Sequence, residues 1–147
     1  MTGLSDSFQR PIDYLRISVT DRCNLSCVYC MPSDGVSLMS HGDILTYEEV
    51  YTIAKTAAEL GINRIRLTGG EPLVRSGLTK LIQMLAGIDA TDDISLTTNG
   101  ILLSRYAAEL KSAGLRRVNV SLDSLKPDKF EVITRCGDNL GNVLGGM

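Results

Sequence analysis

The feature that most constrains this chain is a repeat in its patterning. Short alternating segments are followed, at a near-constant interval, by segments with helical spacing. Tyr14–Thr20 reads as a strand, Thr46–Leu60 as a helix, Arg64–Thr68 as a strand and Gly77–Ala86 as a helix. Ile94–Thr98, Ser104–Ala113 and Arg117–Leu122 continue the series, and Pro127 opens a further helix over Asp128–Thr134. Thr46 followed by Glu49 has the form of a capping box, and Gly61 and Gly114 stop their helices. Strand–helix alternation of this kind makes right-handed βαβ units and a parallel sheet.

A parallel sheet either stays open with helices on both faces or curls into a barrel. Strands covered on both faces read as near-continuous apolar runs. These do not. Leu15, Ile17 and Val19 alternate with Arg16, Ser18 and Thr20. Ile65 and Leu67 alternate with Arg66 and Thr68, and Ile94 and Leu96 with Ser95, Thr97 and Asn99. Val118, Val120 and Leu122 alternate with Asn119, Ser121 and Asp123. Successive side chains point to opposite faces. One face therefore takes the helices, and the other lines a polar lumen. The expectation is an α/β fold, part of a TIM-like (βα) barrel with an open lumen. Residues 1–13 are an N-terminal extension and residues 14–147 the partial barrel. A complete barrel needs roughly 250 residues, and about four units are present. The last residues, Gly145-Gly146-Met147, suggest no finished element, so a truncated chain is expected.

In parallel barrels the active site lies at the C-terminal ends of the strands. Four unusual motifs fall there: a cysteine loop, Thr68-Gly-Gly-Glu-Pro72, Thr97-Thr-Asn-Gly100 and Ser121-Leu-Asp-Ser124. The cysteine loop has the spacing C-x3-C-x2-C, with Cys23, Cys27 and Cys30. Soft thiolates suit iron–sulfur clusters and zinc. Three cysteines on a four-iron cluster leave one iron open. A structural zinc site wants four protein ligands, and only Cys136 is left to supply the fourth, far along the chain. Glycines 69 and 70 permit close approach of backbone to a ligand, and Glu71 can accept from a ligand ammonium. Arg16 and Arg66 offer planar multi-donor groups to an anion or base edge. Each motif also has an ordinary reading. The glycines can make a plain turn, and the arginines strand-end ion pairs. The Thr97 and Ser121 hydroxyls can bond backbone, and Tyr29 can shield a cluster. Arg75 reads as a helix-start surface residue, and His41 as solvated.

Fifteen basic and seventeen acidic residues give a net charge of -2. That argues against a nucleic-acid or membrane-surface binder. No apolar stretch reaches membrane-spanning length, and the N-terminus lacks a signal-peptide pattern. A cytoplasmic, reducing setting is the expectation, in which clustered cysteines read as metal ligands.

The cysteine spacing resembles that of the radical S-adenosylmethionine (SAM) superfamily. Four segments together are similar to the GTP 3′,8-cyclase family of molybdenum cofactor biosynthesis. They are Ser18–Pro32, Ile65–Arg75 (IRLTGGEPLVR), Leu96–Gly100 (LTTNG) and Val118–Leu125 (VNVSLDSL). The resemblance implies a [4Fe–4S] cluster on Cys23, Cys27 and Cys30, with SAM on the open iron. It puts Tyr29, Gly70 and Ser121 at SAM, and Arg16, Arg66 and Thr97 at GTP. It also implies a 5′-deoxyadenosyl radical that takes hydrogen from C3′ of GTP, with C3′ then joined to C8 of guanine. An external electron donor and, for the full-length enzyme, a homodimer are further implications. The family's second, C-terminal cluster has no counterpart here, so the chain alone is expected not to complete the reaction. Radical SAM chemistry on tRNA or peptide, or a non-enzymatic zinc module, are the alternatives.

Overall fold

The computed structural model describes residues 3–147. Four parallel strands form one sheet in sequential order. They are β1 (Tyr14–Ser18), β2 (Arg64–Thr68), β3 (Asp93–Thr98) and β4 (Arg117–Val120). Helices α1 (Tyr47–Glu59), α2 (Leu78–Ala86) and α3 (Leu103–Ala113) cross between them. The sheet is not closed, as a partial barrel requires.

The apolar side of the alternation becomes the core. Ile17, Ile65, Leu67, Ile94 and Leu96 are buried against Val50, Ala54, Leu81, Ile82, Leu85 and Leu110 of the three helices. The register sets Arg16 beside Arg66, Arg66 beside Ser95, and Thr97 beside Asn119 on the opposite face. That face is the polar lumen.

Local signals act as written. Thr46 accepts from the Glu49 backbone N–H at 3.2 Å, and Glu49 accepts from the Thr46 N–H at 2.7 Å. Gly61 and Gly114 take positive φ angles of 96° and 112° just past α1 and at the end of α3. Boundaries differ from the sequence reading mainly where strands leave the ladder. β1 ends at Ser18 rather than Thr20, because Val19 and Thr20 turn to bond the β2 rim. β4 ends at Val120 rather than Leu122, although the Ser121 N–H still donates to the Thr98 carbonyl at 2.8 Å.

Two expectations fail. The chain does not trail off after α4 (Pro127–Thr134). Leu140–Gly146 forms a further helix, α5, that packs on α3. Phe130, Leu140 and Val143 form a second small core with Ile101, Val120 and Leu122. The glycines at 141, 145 and 146 hid this helix, since glycine argues against helical interiors. Arg75 is not a free surface residue either. It donates to the Val19 carbonyl at 2.6 Å and the Leu45 carbonyl at 2.7 Å, and stacks 4.3 Å from the Tyr47 ring. His41 lies exposed in a short 3-10 turn, His41–Asp43.

Candidate functional site

The four motifs meet at the C-terminal rim of the sheet. A cavity of about 270 Å³ opens there. Arg16, Cys23, Cys27, Tyr29, Cys30, Gly70, Thr97 and Ser121 all line it. Arg66 does not. It sits in the lumen, donates to the Ser95 hydroxyl at 3.3 Å and lies 5.5 Å from the Tyr14 ring.

The cysteine loop is seated by backbone contacts. The Gly70 N–H donates to the Thr20 carbonyl at 2.7 Å, and the Glu71 N–H to the Arg22 carbonyl at 2.8 Å. A Cβ on Gly69 would stand 2.5 Å from the Thr20 carbonyl oxygen, and one on Gly70 would overlap the Arg22 carbonyl. The two glycines thus admit the incoming protein chain, where the sequence reading had them admit a ligand. On its far side the loop is held by α4. The Ser26 and Val28 N–H groups donate to the Thr134 and Ile133 carbonyls at 3.1 and 2.9 Å. These carbonyls lie in the last turn of α4, which its own helix leaves unpaired. Arg135, in left-handed conformation at φ 53°, donates to the Met31 carbonyl at 3.0 Å.

The thiols differ in exposure. Cys27 is buried, Cys23 half-buried and Cys30 exposed. Burial pushes the Cys23 and Cys27 thiols up, and neighbouring Cys30 adds to the effect at both. A cationic metal centre would pull the other way and take the thiolates. Among the described residues, no three of His, Cys, Asp and Glu converge as ligands of a single ion. Three soft donors spaced around one cavity suit a polynuclear iron–sulfur centre. Cys136 faces the loop from outside. Its thiol lies 3.3 Å from the Asn24 carbonyl oxygen, and it does not line the cavity.

Glu71 departs from its expected role. Its side chain is 1% exposed. One carboxylate oxygen accepts from the Leu73 N–H at 3.0 Å and the Thr98 hydroxyl at 2.7 Å, and the other from the Asn99 N–H at 2.7 Å. These bonds tie the β2 rim to the β3 rim and leave the carboxylate turned away from the cavity. It is therefore not placed to accept from a ligand ammonium.

Two cavity residues escaped the sequence reading as site residues, Asn99 and Asp123. Both lie inside motifs already singled out. Asp123 accepts from the Tyr29 hydroxyl at 2.9 Å. Desolvation of that hydroxyl and the Asp123 carboxylate together raise the phenol above its ordinary range. The arginines of the strands are also sorted by the structure. Arg64 pairs with Asp13 at 2.5 Å and Arg117 pairs with Asp93, all near the opposite end of the strands. Among the described residues neither Arg16 nor Arg66 takes part in an ion pair. Two neighbouring guanidiniums without a carboxylate are suited to an anionic ligand.

Residues 17–144 match the model of the Radical SAM superfamily. The chain is 55% identical over 144 residues to a GTP 3′,8-cyclase of Alkaliphilus oremlandii, covering 98% of this chain and 45% of that protein. It is 57% identical over 144 residues to a GTP 3′,8-cyclase of Peptoclostridium acidaminophilum, covering 98% of this chain and 44% of that protein. The chain thus spans less than half the length of the curated relatives it matches. Among solved structures it is similar to anSMEcpe with bound AdoMet, with TM-score 0.68 and 22% identity, covering 90% of this chain and 37% of that one. It is also similar to BtrN in complex with AdoMet and 2-DOIA, with TM-score 0.60 and 21% identity over 84% of this chain and 51% of that one. These two likenesses concern the fold. Among the described residues no helix is long and apolar enough to cross a membrane.

Proposed function

This chain belongs to the radical SAM superfamily, and on that premise we propose that it is the cluster- and SAM-holding part of a GTP 3′,8-cyclase. The product of that reaction is (8S)-3′,8-cyclo-7,8-dihydroguanosine 5′-triphosphate, a precursor of molybdenum cofactor. The observation that carries the reading is the shared cavity. Three thiols and Tyr29 from one loop open into the same 270 Å³ space as Gly70, Ser121, Arg16 and Thr97, which come from separate points along the chain.

Cys23, Cys27 and Cys30 would hold the [4Fe–4S] cluster. When bound, the cluster and SAM supply one-electron chemistry that generates a hydrogen-abstracting radical. The protein's share is placement. Tyr29, Gly70 and Ser121 stand at the rim beside the thiols, where SAM would lie. Arg16 and Thr97 line the same cavity from the lumen side, and Arg66 follows in register next to Arg16. That set suits GTP, with guanidiniums for phosphate or base edge and a hydroxyl for ribose or base. A lumen behind the rim gives the substrate a position next to SAM, and positioning of reacting atoms is where a protein gains most. We take residues 1–13 as an extension and 14–147 as the partial barrel. We also read the setting as cytoplasmic, served by an external electron donor, with dimerisation a property of the full-length enzyme.

The test is anaerobic reconstitution with iron and sulfide, followed by electron paramagnetic resonance with and without SAM. A reduced-cluster signal that changes on SAM addition is expected, and Cys27→Ala should abolish it. Zinc without acid-labile sulfide would overturn the reading. The chain by itself is expected to bind SAM without forming cyclised product from GTP. Turnover under anaerobic conditions with reductant would contradict that part.

A further inference from the structure

We infer that Asn99 is a positioning residue for the cluster loop: its side-chain amide pins Asn24 and donates toward the Cys23 sulfur, and Glu71 holds it in place. This rests on the cluster reading above. The Asn99 Nδ2 group lies 2.7 Å from Asn24 Oδ1 and 4.0 Å from Cys23 Sγ. Its Oδ1 accepts from the Ile101 N–H at 3.1 Å, which fixes the orientation of the amide and directs the NH2 side at the loop. The Asn99 backbone N–H is anchored on the buried Glu71 carboxylate at 2.7 Å. Residue 99 is therefore held at three points, by Glu71 below, Ile101 behind and Asn24 in front. The Cys23 sulfur has a second donor, the Leu25 N–H at 3.4 Å.

The chemistry follows from charge. Reduction adds an electron to a centre whose negative charge is spread over its sulfurs. An N–H aimed at a ligand sulfur stabilises the reduced state more than the oxidised one, so it raises the reduction potential. The β3 rim would thus set part of the potential of a cluster whose protein ligands all come from the loop after β1. Glu71 acts through Asn99, which gives the buried carboxylate a task at the site even though it faces away from the cavity.

Asn99→Asp is the direct probe. It keeps Oδ1 for the Ile101 N–H and replaces the donor with an acceptor. The 147-residue chain is reconstituted anaerobically, iron and acid-labile sulfide are counted, and the midpoint potential is read by a redox titration followed by paramagnetic resonance. N99D is expected to load like the wild type and to shift to a more negative potential. Asn24→Asp controls for charge, since it adds a carboxylate next door and leaves the Asn99 donor intact. Its shift should be smaller. An unmoved potential in N99D, or equal shifts in N99D and N24D, overturns the role of Asn99. If N99D takes up no iron, Asn24→Ala carries the test. It frees the Asn99 amide for Cys23 and is expected to raise the potential, and an unchanged value overturns the inference. A wild-type chain that binds neither iron nor sulfide overturns the cluster reading and this one with it.

Discussion

The two sides of the rim are built to different standards. Toward β2 and β3, the cysteine loop is seated by backbone on backbone, two glycines that leave no room for a Cβ, and a buried carboxylate with three donors. Toward β4, its link among the described residues is a hydrogen bond from Tyr29 to Asp123. The strands repeat the contrast. Leu96 on β3 is fully buried, while Val118, its neighbour in register on β4, is 38% exposed on the same apolar face. The cysteine side of the rim is braced on β2, β3 and α4. The lumen is bounded on one side by an open strand edge.

The strand pair offers the largest expected effect. Leu96→Ala should cost about 4 kcal/mol, the transfer term plus a cavity with no route to collapse. Val118→Ala should cost under about 1 kcal/mol, since its side chain already meets solvent. Urea unfolding of both variants checks the pair, and equal losses would break the contrast. Gly70→Ala comes next, at about 3 kcal/mol, because the atoms it meets are backbone and cannot swing aside. Iron and sulfide uptake should fall with it, as the new methyl group displaces the Arg22 end of the cysteine loop. Uptake at the wild-type level would show that the loop is held from the α4 side instead.

Glu71→Gln should be smaller, about 2 kcal/mol by the same unfolding measurement. The amide can keep the bonds from Leu73 and Thr98 but turns an NH2 group on the Asn99 N–H. Because Glu71 anchors Asn99, this variant should also lower the cluster potential in the direction of N99D. A stability loss with no change in potential would separate the clasp from the cluster.

Much of this was legible from residues alone because it is periodic. Alternation within 15–20, 64–68 and 94–99 determines which side chains face the helices, and so puts Arg16 and Thr97 on the lumen face. The Thr46–Glu49 cap was legible because both partners lie within four residues. Glu71 was misread for the opposite reason. A glutamate in a Gly-Gly-Glu-Pro turn offers an acceptor, but its donors at Thr98 and Asn99 lie 27 and 28 residues away, and only the β2–β3 register brings them together. The glycines at 69 and 70 were rightly read as sites of close approach. What approaches is set by tertiary contact with Thr20 and Arg22, so the sequence pattern could not distinguish chain from ligand. Arg75 was missed likewise, because its acceptors at Val19 and Leu45 are remote in sequence. Helix α5 was lost to its own glycines, which tertiary packing on α3 overrides.

The smallest effect tests the weaker side of the rim. Tyr29→Phe removes the one hydroxyl that links the loop to Asp123 and leaves the ring in place. Tyr29 is 62% exposed, so water can replace the lost partner on both sides. A net hydrogen bond in that setting is worth about 0.5 kcal/mol. If unfolding shows a loss near that size while cluster loading stays intact, the loop's seat is the β2–β3 rim and α4. If loading collapses in Y29F although stability barely moves, the β4 side holds the thiols after all. The strongly built half of the rim would then be only a scaffold for the weakly built one.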